Sequence, residues 1–346
     1  TGMEQQDILS MTLPELQAAV QELSEPKFRA KQIFNWLHQK RVTDFSEMTT
    51  LSLPFRERLA SDFCINRLKI AKRLASSVDD TVKYLYELPD GNYVETVCMQ
   101  YHHGTSLCIS TQVGCRMGCR FCASAIAGFV RNLTPAEMLL QIYETERAQN
   151  CKISSLVLMG IGEPLDNFDN VLRFLQLLSD PNGYGMSLRH VTVSTCGVVP
   201  KILELAEQRL GLTLSVSLHC PNDAGRSAIM PINRSYPIDV LLDACQTYFE
   251  KTGRRVTFEY AVMDQVNSAE QDAAALAERL KGLHAHVNLI PINPVKERNF
   301  HTLKKTVLQF QKTLERYGIP ATIRRTLGSD IEAACGQLRR DAIQQT

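Results

Sequence analysis

The sequence predicts an α/β fold, a parallel sheet with helices outside it, preceded by a small helical domain. Three observations carry that prediction. After residue 104, short β-rich apolar runs alternate with amphipathic segments, the string that repeated βα units produce. Residues 9–65 instead place apolar side chains at helical spacing. At 346 residues, the chain is long enough for one large α/β domain and an accessory one.

In chain order, Leu13, Leu16, Val20 and Leu23 mark one helical face, and Ile33, Phe34, Trp36 and Leu37 a second. They define a helical domain over 1–68. From Ile70 to Gln100 the pattern shifts to strands, and 83–88 and 93–98 flank Pro89-Asp90-Gly91, a hairpin turn. Residues 69–104 are therefore a hairpin linker. Strand candidates follow at 107–111, 155–159, 190–194, 212–218, 255–262, 285–290 and 321–325. Helix candidates lie between them at 135–147, 170–178, 200–208, 238–250, 269–280 and 302–317. Six or seven such units fall short of the eight that close a full barrel. A doubly wound open sheet would give the same string. The sheet domain spans 105–300, and 301–346 add a helix, a strand and a loop.

Composition excludes several classes. A net charge of +1 is not that of a globally basic nucleic-acid binder. No apolar run approaches the roughly 18 residues of a membrane span. Thr1-Gly2-Met3-Glu4 lacks the basic and apolar regions of a secretory signal, and Thr1-Gly2 reads as a cloning scar. Eleven cysteines, an odd number, fit a reducing cytoplasm with some thiols committed to metal and redox chemistry. Charge is uneven: from Lys296 onward ten basic residues face five acidic ones. Arg116, Arg120 and Arg131 lie in a stretch, 112–133, that holds no acid. The two regions are candidates for a phosphate-attracting rim; solvated faces with salt bridges are the alternative.

Chemistry concentrates in Gly114-Cys115-Arg-Met-Gly-Cys119-Arg-Phe-Cys122. A CxxxCxxC loop offers three thiolates, one short of the four that a closed four-iron cube takes. The open position is the mark of a catalytic rather than a structural centre. A zinc knuckle with a distant fourth ligand is the competing reading. Other unusual runs fall at strand ends: Gly160-Ile-Gly162-Glu163-Pro164, Ser194-Thr-Cys-Gly197, Ser217-Leu218-His219 and Pro291-Ile-Asn293-Pro294. Parallel α/β folds bind ligands at such ends. Singly each is weak, and His219 alone reads as a packed core histidine.

These runs, with Met230-Pro-Ile-Asn233-Arg and Asp330-Ile-Glu-Ala-Ala-Cys335-Gly, resemble the RlmN/Cfr family of radical S-adenosylmethionine (SAM) adenosine methyltransferases. The resemblance runs from about residue 25 to 340. It favours the RlmN branch, because Pro164 follows Glu163 where Cfr has alanine. It implies a partial (β/α)6 radical-SAM barrel with an N-terminal helical domain and a C-terminal catalytic extension. It also implies a 4Fe-4S cluster on Cys115, Cys119 and Cys122, and SAM contacts at Gly162, Glu163, Ser194, Ser217, Leu218, His219 and Asn293.

The implied reaction methylates carbon 2 of an adenosine in 23S ribosomal RNA at the peptidyl transferase centre. Some members also modify adenosine 37 of tRNA. That carbon is electron-poor, so polar displacement on a sulfonium cannot reach it and a one-electron route is needed. The resemblance implies two SAM per turnover. The first methylates the Cys335 thiolate, and arginines nearby in sequence (Arg324, Arg325, Arg339, Arg340) favour the thiolate. The second yields a 5′-deoxyadenosyl radical that activates methyl-Cys335 for addition to the base, giving a covalent protein–RNA adduct.

By the same resemblance, Glu95 takes the carbon-2 proton, and Cys108 releases product through a disulfide with Cys335. On residues alone, Cys108 reads as a buried structural cysteine and Glu95 as a solvated charge. Cys64, Cys98, Cys151, Cys196, Cys220 and Cys245 read as buried small hydrophobes. The resemblance further implies a flavodoxin- or ferredoxin-type reductant, and a cytoplasmic monomer without membrane contact is expected. RNA would be gripped by the helical domain and the basic C-terminal segment. Competing functions are a Cfr-like carbon-8 methyltransferase and a non-catalytic, metal-stabilised RNA-binding protein.

Overall fold

The computed structural model describes residues 4–292, 303–332 and 342. Three helices form the N-terminal unit: α1 (Leu13–Glu22), α2 (Phe28–His38) and α3 (Leu53–Asp62). Helix α1 starts at a capping box in which Thr12 and Glu15 satisfy each other's backbone donors, with Pro14 in the first turn.

Four antiparallel strands follow: β1 (Lys69–Ala75), β2 (Val82–Glu87), β3 (Tyr93–Tyr101) and β4 (Gly104–Cys108). From β4 the chain winds through α4 (Pro135–Gln149), β5 (Ile153–Leu158), α5 (Phe168–Ser179), β6 (Val191–Thr195) and α6 (Val199–Gln208). It continues through β7 (Thr213–Ser217), α7 (Asp223–Ile229), α8 (Ile238–Thr252), β8 (Val256–Val262) and α9 (Glu270–Leu280). The described part closes with β9 (Ala285–Pro291), α10 (Lys304–Arg316) and β10 (Ala321–Ile323).

All ten strands stand in chain order across one sheet, and every pairing from β4 to β10 is parallel. A doubly wound sheet reverses strand order at a switch point, so that alternative is excluded. The chain forms a partial (β/α)6 barrel whose six units run from β4–α4 to β9–α10. Strand β10 extends it at one edge and the β1–β3 sheet at the other.

Strand β4 lies three residues earlier than the 107–111 expected, because Ile109 and Thr111 leave the regular ladder to bond around the β5 loop. Gly160 N donates to Ile109 O at 2.9 Å, and Thr111 N to Ile161 O at 2.9 Å. Among the described residues no helix is long and apolar enough to cross a membrane.

Helix α4 is sandwiched between the sheet and the N-terminal helices, and residues from Pro135 to Glu146 are all buried. Its polar side chains are paired accordingly, as buried polar groups require. Gln141 accepts from Thr96 Oγ1 (2.8 Å) and from Ser110 N (2.9 Å), and Glu146 pairs with Arg41 at 2.7 Å. On the other side His38 Nδ1 meets Tyr143 Oη at 2.8 Å.

Burial lowers the His38 pKa from 6.5 to about 3, with Arg41 adding to the effect. The depressed value means that its stabilising contribution is complete above the unfolded pKa and is lost as pH falls. The expected loss is about 1.4 kcal/mol per pH unit below about 6.5, ending near pH 3. Thermal melts of the wild type and of His38→Gln between pH 7 and 4.5 should therefore converge as pH falls; parallel curves would refute this role.

Candidate active site

The loop after β4 carries the three cysteines and is pinched at its base. Gln112–Val113 pairs antiparallel with Arg131–Asn132. Gly114 has φ +79°, and a Cβ there would sit 1.7 Å from the Gly128 carbonyl oxygen, so only glycine lets the two legs touch. The loop is then fixed to the barrel rim. Arg120 N donates to Ile229 O at 2.9 Å, and Phe121 meets the His219 ring edge-on at 4.6 Å.

The acid-free stretch is not a wholly free basic rim, because two of its three arginines find acids from elsewhere in the chain, while Arg120 reaches the Ala228 carbonyl at 3.5 Å. Arg131 pairs with Asp90 and Glu137 at 2.7 Å each, and Arg116 with Asp166 at 2.7 Å. Among the described C-terminal cations, Arg316 pairs with Glu270 at 2.6 Å.

Two adjoining cavities open at the carboxyl ends of the parallel strands. The first is lined by Cys115, Cys119 and Cys122 together with Gly162, Glu163, Ser194, Ser217 and His219. Leu218 is fully buried, and its carbonyl accepts from Arg226 Nε at 3.0 Å, so it shapes the rim through its backbone. Asn293 and Cys335 lie outside the described residues. Gly162 has φ +109°, and a Cβ would lie 2.6 Å from that of Gln112. The Gln112 amide oxygen in turn accepts from Glu163 N at 2.8 Å.

The Glu163 carboxylate is 4% exposed. It accepts from the Thr195 hydroxyl and from Cys196 N, and among the described residues no cation pairs with it. Burial raises its pKa to about 7. A buried carboxylate held by neutral donors fits a ligand that brings its own positive charge, as the ammonium of SAM does.

Burial likewise pushes the Cys115 thiol up to about 12 and raises that of Cys119, with the loop thiols acting on one another. Such thiols ionise when a metal replaces the proton. Among the described residues no three His, Cys, Asp or Glu side chains are gathered for a single ion.

His219 is 3% exposed and has φ +59°. Its Nδ1 accepts from Ala261 N at 2.8 Å, which places the ring proton on Nε2. It is therefore a packed histidine that also borders the cavity.

The second cavity shares Cys122, Met159, Gly160 and Arg324 with the first, and adds Glu95, Cys108 and Lys83. Here the residue-level expectations need correction. Glu95 is not a solvated charge: it is 4% exposed and pairs with Lys83 at 2.6 Å. Cys108 is half-buried rather than core, and it lines the cavity. Burial raises its pKa, while Arg324 and Lys83 pull it back. Both residues sit on the sheet face formed by β2, β3 and β4, where Cys108 is paired with Val97.

Among the remaining cysteines, Cys98, Cys196, Cys220 and Cys245 are buried, but Cys64 and Cys151 are only half-buried. Cys196 also lines the first cavity. The ten described cysteines are all free thiols, so the expected disulfide is not present among them.

Sequence reasoning missed two buried cations. Arg226 donates to the carbonyls of Cys196 (2.6 Å), Ser217 (2.8 Å) and Leu218 (3.0 Å), strapping the ends of β6 and β7 together. Lys83 is the other. Its position in a strand of alternating large side chains gave no sign of it.

Comparison with known proteins agrees with this geometry. Residues 6–65 match the ribosomal RNA large subunit methyltransferase N-terminal domain, and residues 109–277 match the radical SAM superfamily. The chain is 50% identical to the "Probable dual-specificity RNA methyltransferase RlmN" of Lachnoclostridium phytofermentans, covering 99% of this chain and 97% of that one. It is 48% identical to the protein of the same name from Clostridium novyi, covering 98% and 99%. A radical SAM methyltransferase from Sphaerobacter thermophilus, known from its crystal structure, superposes with a TM-score of 0.91 at 40% identity, covering 96% and 98%.

Proposed function

Because the chain belongs to the RlmN family of radical SAM RNA methyltransferases, we propose that it methylates carbon 2 of an adenosine in 23S ribosomal RNA at the peptidyl transferase centre. Adenosine 37 of tRNA is the second substrate, in keeping with the dual specificity in its relatives' names. The observation that carries this reading is the shared wall. The cavity with three thiols and Glu163 adjoins the cavity with Glu95 and Cys108 across Cys122, Met159, Gly160 and Arg324.

Cys115, Cys119 and Cys122 would hold a 4Fe-4S cluster. Glu163 would receive the SAM ammonium, with Ser194, Ser217, His219 and the backbone at Gly162 and Leu218 around it. Asn293 joins this set by resemblance. When bound, the cluster and SAM supply the one-electron route that carbon 2 requires.

The remaining work falls to side chains. Cys335 accepts a methyl group from SAM as a thiolate and later delivers it to the base, so two SAM are used per turnover. Glu95 accepts the proton that leaves carbon 2. Cys108 then attacks the Cys335 sulfur as a thiolate. The bond from that sulfur to the transferred carbon breaks with its electron pair going to the carbon, which takes up a proton to become the methyl group. The transient Cys108–Cys335 disulfide is reduced by an external thiol. The adjacent Arg324 and Lys83 favour the Cys108 thiolate against its burial. A target base must leave its stack to reach such an enclosed site. The helical unit through residue 68 and the segment from 301 onward are the surfaces assigned to RNA. A flavodoxin- or ferredoxin-type reductant supplies the electron, and the enzyme acts as a cytoplasmic monomer.

Carbon 8 is the alternative target. Pro164 after Glu163 argues for carbon 2. Modified RNA digested to nucleosides and run beside authentic standards should show 2-methyladenosine; 8-methyladenosine would overturn the assignment.

A further inference from the structure

Lys83 has so far only been credited with helping Arg324 favour the Cys108 thiolate, yet it is also in direct contact with Glu95. Its side chain is 1% exposed. Its ammonium lies 2.6 Å from Glu95 Oε1 and donates to the Glu332 carbonyl at 2.8 Å. Residues 83 and 95 sit diagonally on one face of the β2–β3 ladder, where Lys83 is opposite Val97 and Leu85 opposite Glu95.

The Glu332 end is fixed independently. Asp330 accepts from Ser76 Oγ (2.6 Å) and Ser77 N (2.8 Å), and Gly328 N donates to Asp79 at 2.9 Å. Leu327 and Ile331 pack against Val97 and Met99. The ammonium is thus held between the β2–β3 face and the segment of residues 327–332.

We propose that Lys83 is a positioning residue for the proton-transfer step: its ammonium keeps Glu95 ionised and aimed into the cavity, with the Glu332 carbonyl as its second anchor. This rests on the reading of Glu95 as proton acceptor. A carboxylate this buried, without a cation, would take a proton from solvent and could not accept one from carbon 2. Cys108, Cys122, Arg324 and Arg325 border the same cavity. Lys83 makes a direct ion pair with Glu95.

The test uses anaerobically reconstituted full-length protein, SAM and a 23S RNA fragment containing the target adenosine. Mass spectrometry follows methyl-Cys335 and the covalent protein–RNA adduct. Lys83→Met should form methyl-Cys335 at the wild-type level yet break the adduct down more slowly, on the order of 10²-fold, as Glu95→Gln should. Lys83→Arg, which keeps the charge, should restore much of the rate.

The double variant Lys83→Met/Glu95→Gln removes the buried carboxylate together with this cation, so it guards against misfolding. It should accumulate as much adduct as Glu95→Gln alone. Adduct in Glu95→Gln but wild-type turnover in Lys83→Met overturns the role of Lys83 and leaves that of Glu95 standing. No adduct in either variant overturns the Glu95 reading itself. Loss of methyl-Cys335 in Lys83→Met, or less adduct in the double variant than in Glu95→Gln, shows Lys83 acting elsewhere and likewise refutes the proposal.

Discussion

Cys335→Ala protein should take up iron, cleave SAM and leave its RNA unmethylated. On the proposed mechanism the methyl group passes through a nucleophile on the protein before it reaches carbon 2, and alanine offers none. The described residues that precede position 335 border the candidate site. Glu332 borders the cavity lined by Cys115, Cys119 and Cys122. Cys335 follows it by three residues, which span at most about 10 Å. Residues 327–332 are anchored to the β1–β2 turn and the β2–β3 face, so the approach is directed.

The alanine variant leaves Cys115, Cys119, Cys122 and Glu163 untouched, and SAM cleavage should persist as uncoupled 5′-deoxyadenosine formation. Chromatography for deoxyadenosine and mass analysis of digested RNA read the two outcomes separately. Normal RNA methylation by Cys335→Ala would end the covalent mechanism.

Cys119→Ala should fail earlier, and more completely. Cys119 packs among Met230, Met263 and Phe121 behind the loop, and its carbonyl accepts from Cys122 N at 3.1 Å. Alanine can keep that backbone bond and most of the packing, so the fold should survive. On the proposed reading it removes one of three thiolate ligands, and a cube with two protein ligands would not be retained. Iron content, SAM cleavage, methyl-Cys335 formation and RNA methylation should all drop to background. The contrast between the variants separates the two halves of the site: one loses everything, the other only the transfer. A Cys119→Ala protein that still cleaves SAM would show that the loop does not hold the cluster.

The sequence displayed some of this plainly and hid the rest for physical reasons. The thiolate loop was legible because its chemistry is local: three cysteines within eight residues need no fold to be noticed. Gly162-Glu163-Pro164 was legible for the same reason, and the alternation of strands and helices came from periodicity. Periodicity does not encode strand order, and only the pairing of successive strands from β4 to β10 removed the doubly wound alternative.

Glu95 and Cys108 looked ordinary because their setting is non-local. The face they share is closed by residues 327–332, more than two hundred positions away along the chain. Lys83 was invisible on the same ground, since its partners Glu95 and Glu332 come from different elements. The arginines of the loop misled in the opposite direction. Without acids nearby in sequence they read as free, but Asp166 reaches Arg116, and Asp90 and Glu137 reach Arg131, through the fold.

The claim beneath all of this is that the three-cysteine loop carries an iron cube open at one corner. The direct measurement is metal analysis with electron paramagnetic resonance on anaerobically reconstituted wild-type protein, before and after adding SAM. About four irons per chain are expected, with a reduced-cluster signal that changes when SAM binds. One zinc per chain, no such signal and no SAM cleavage would contradict the account at its foundation.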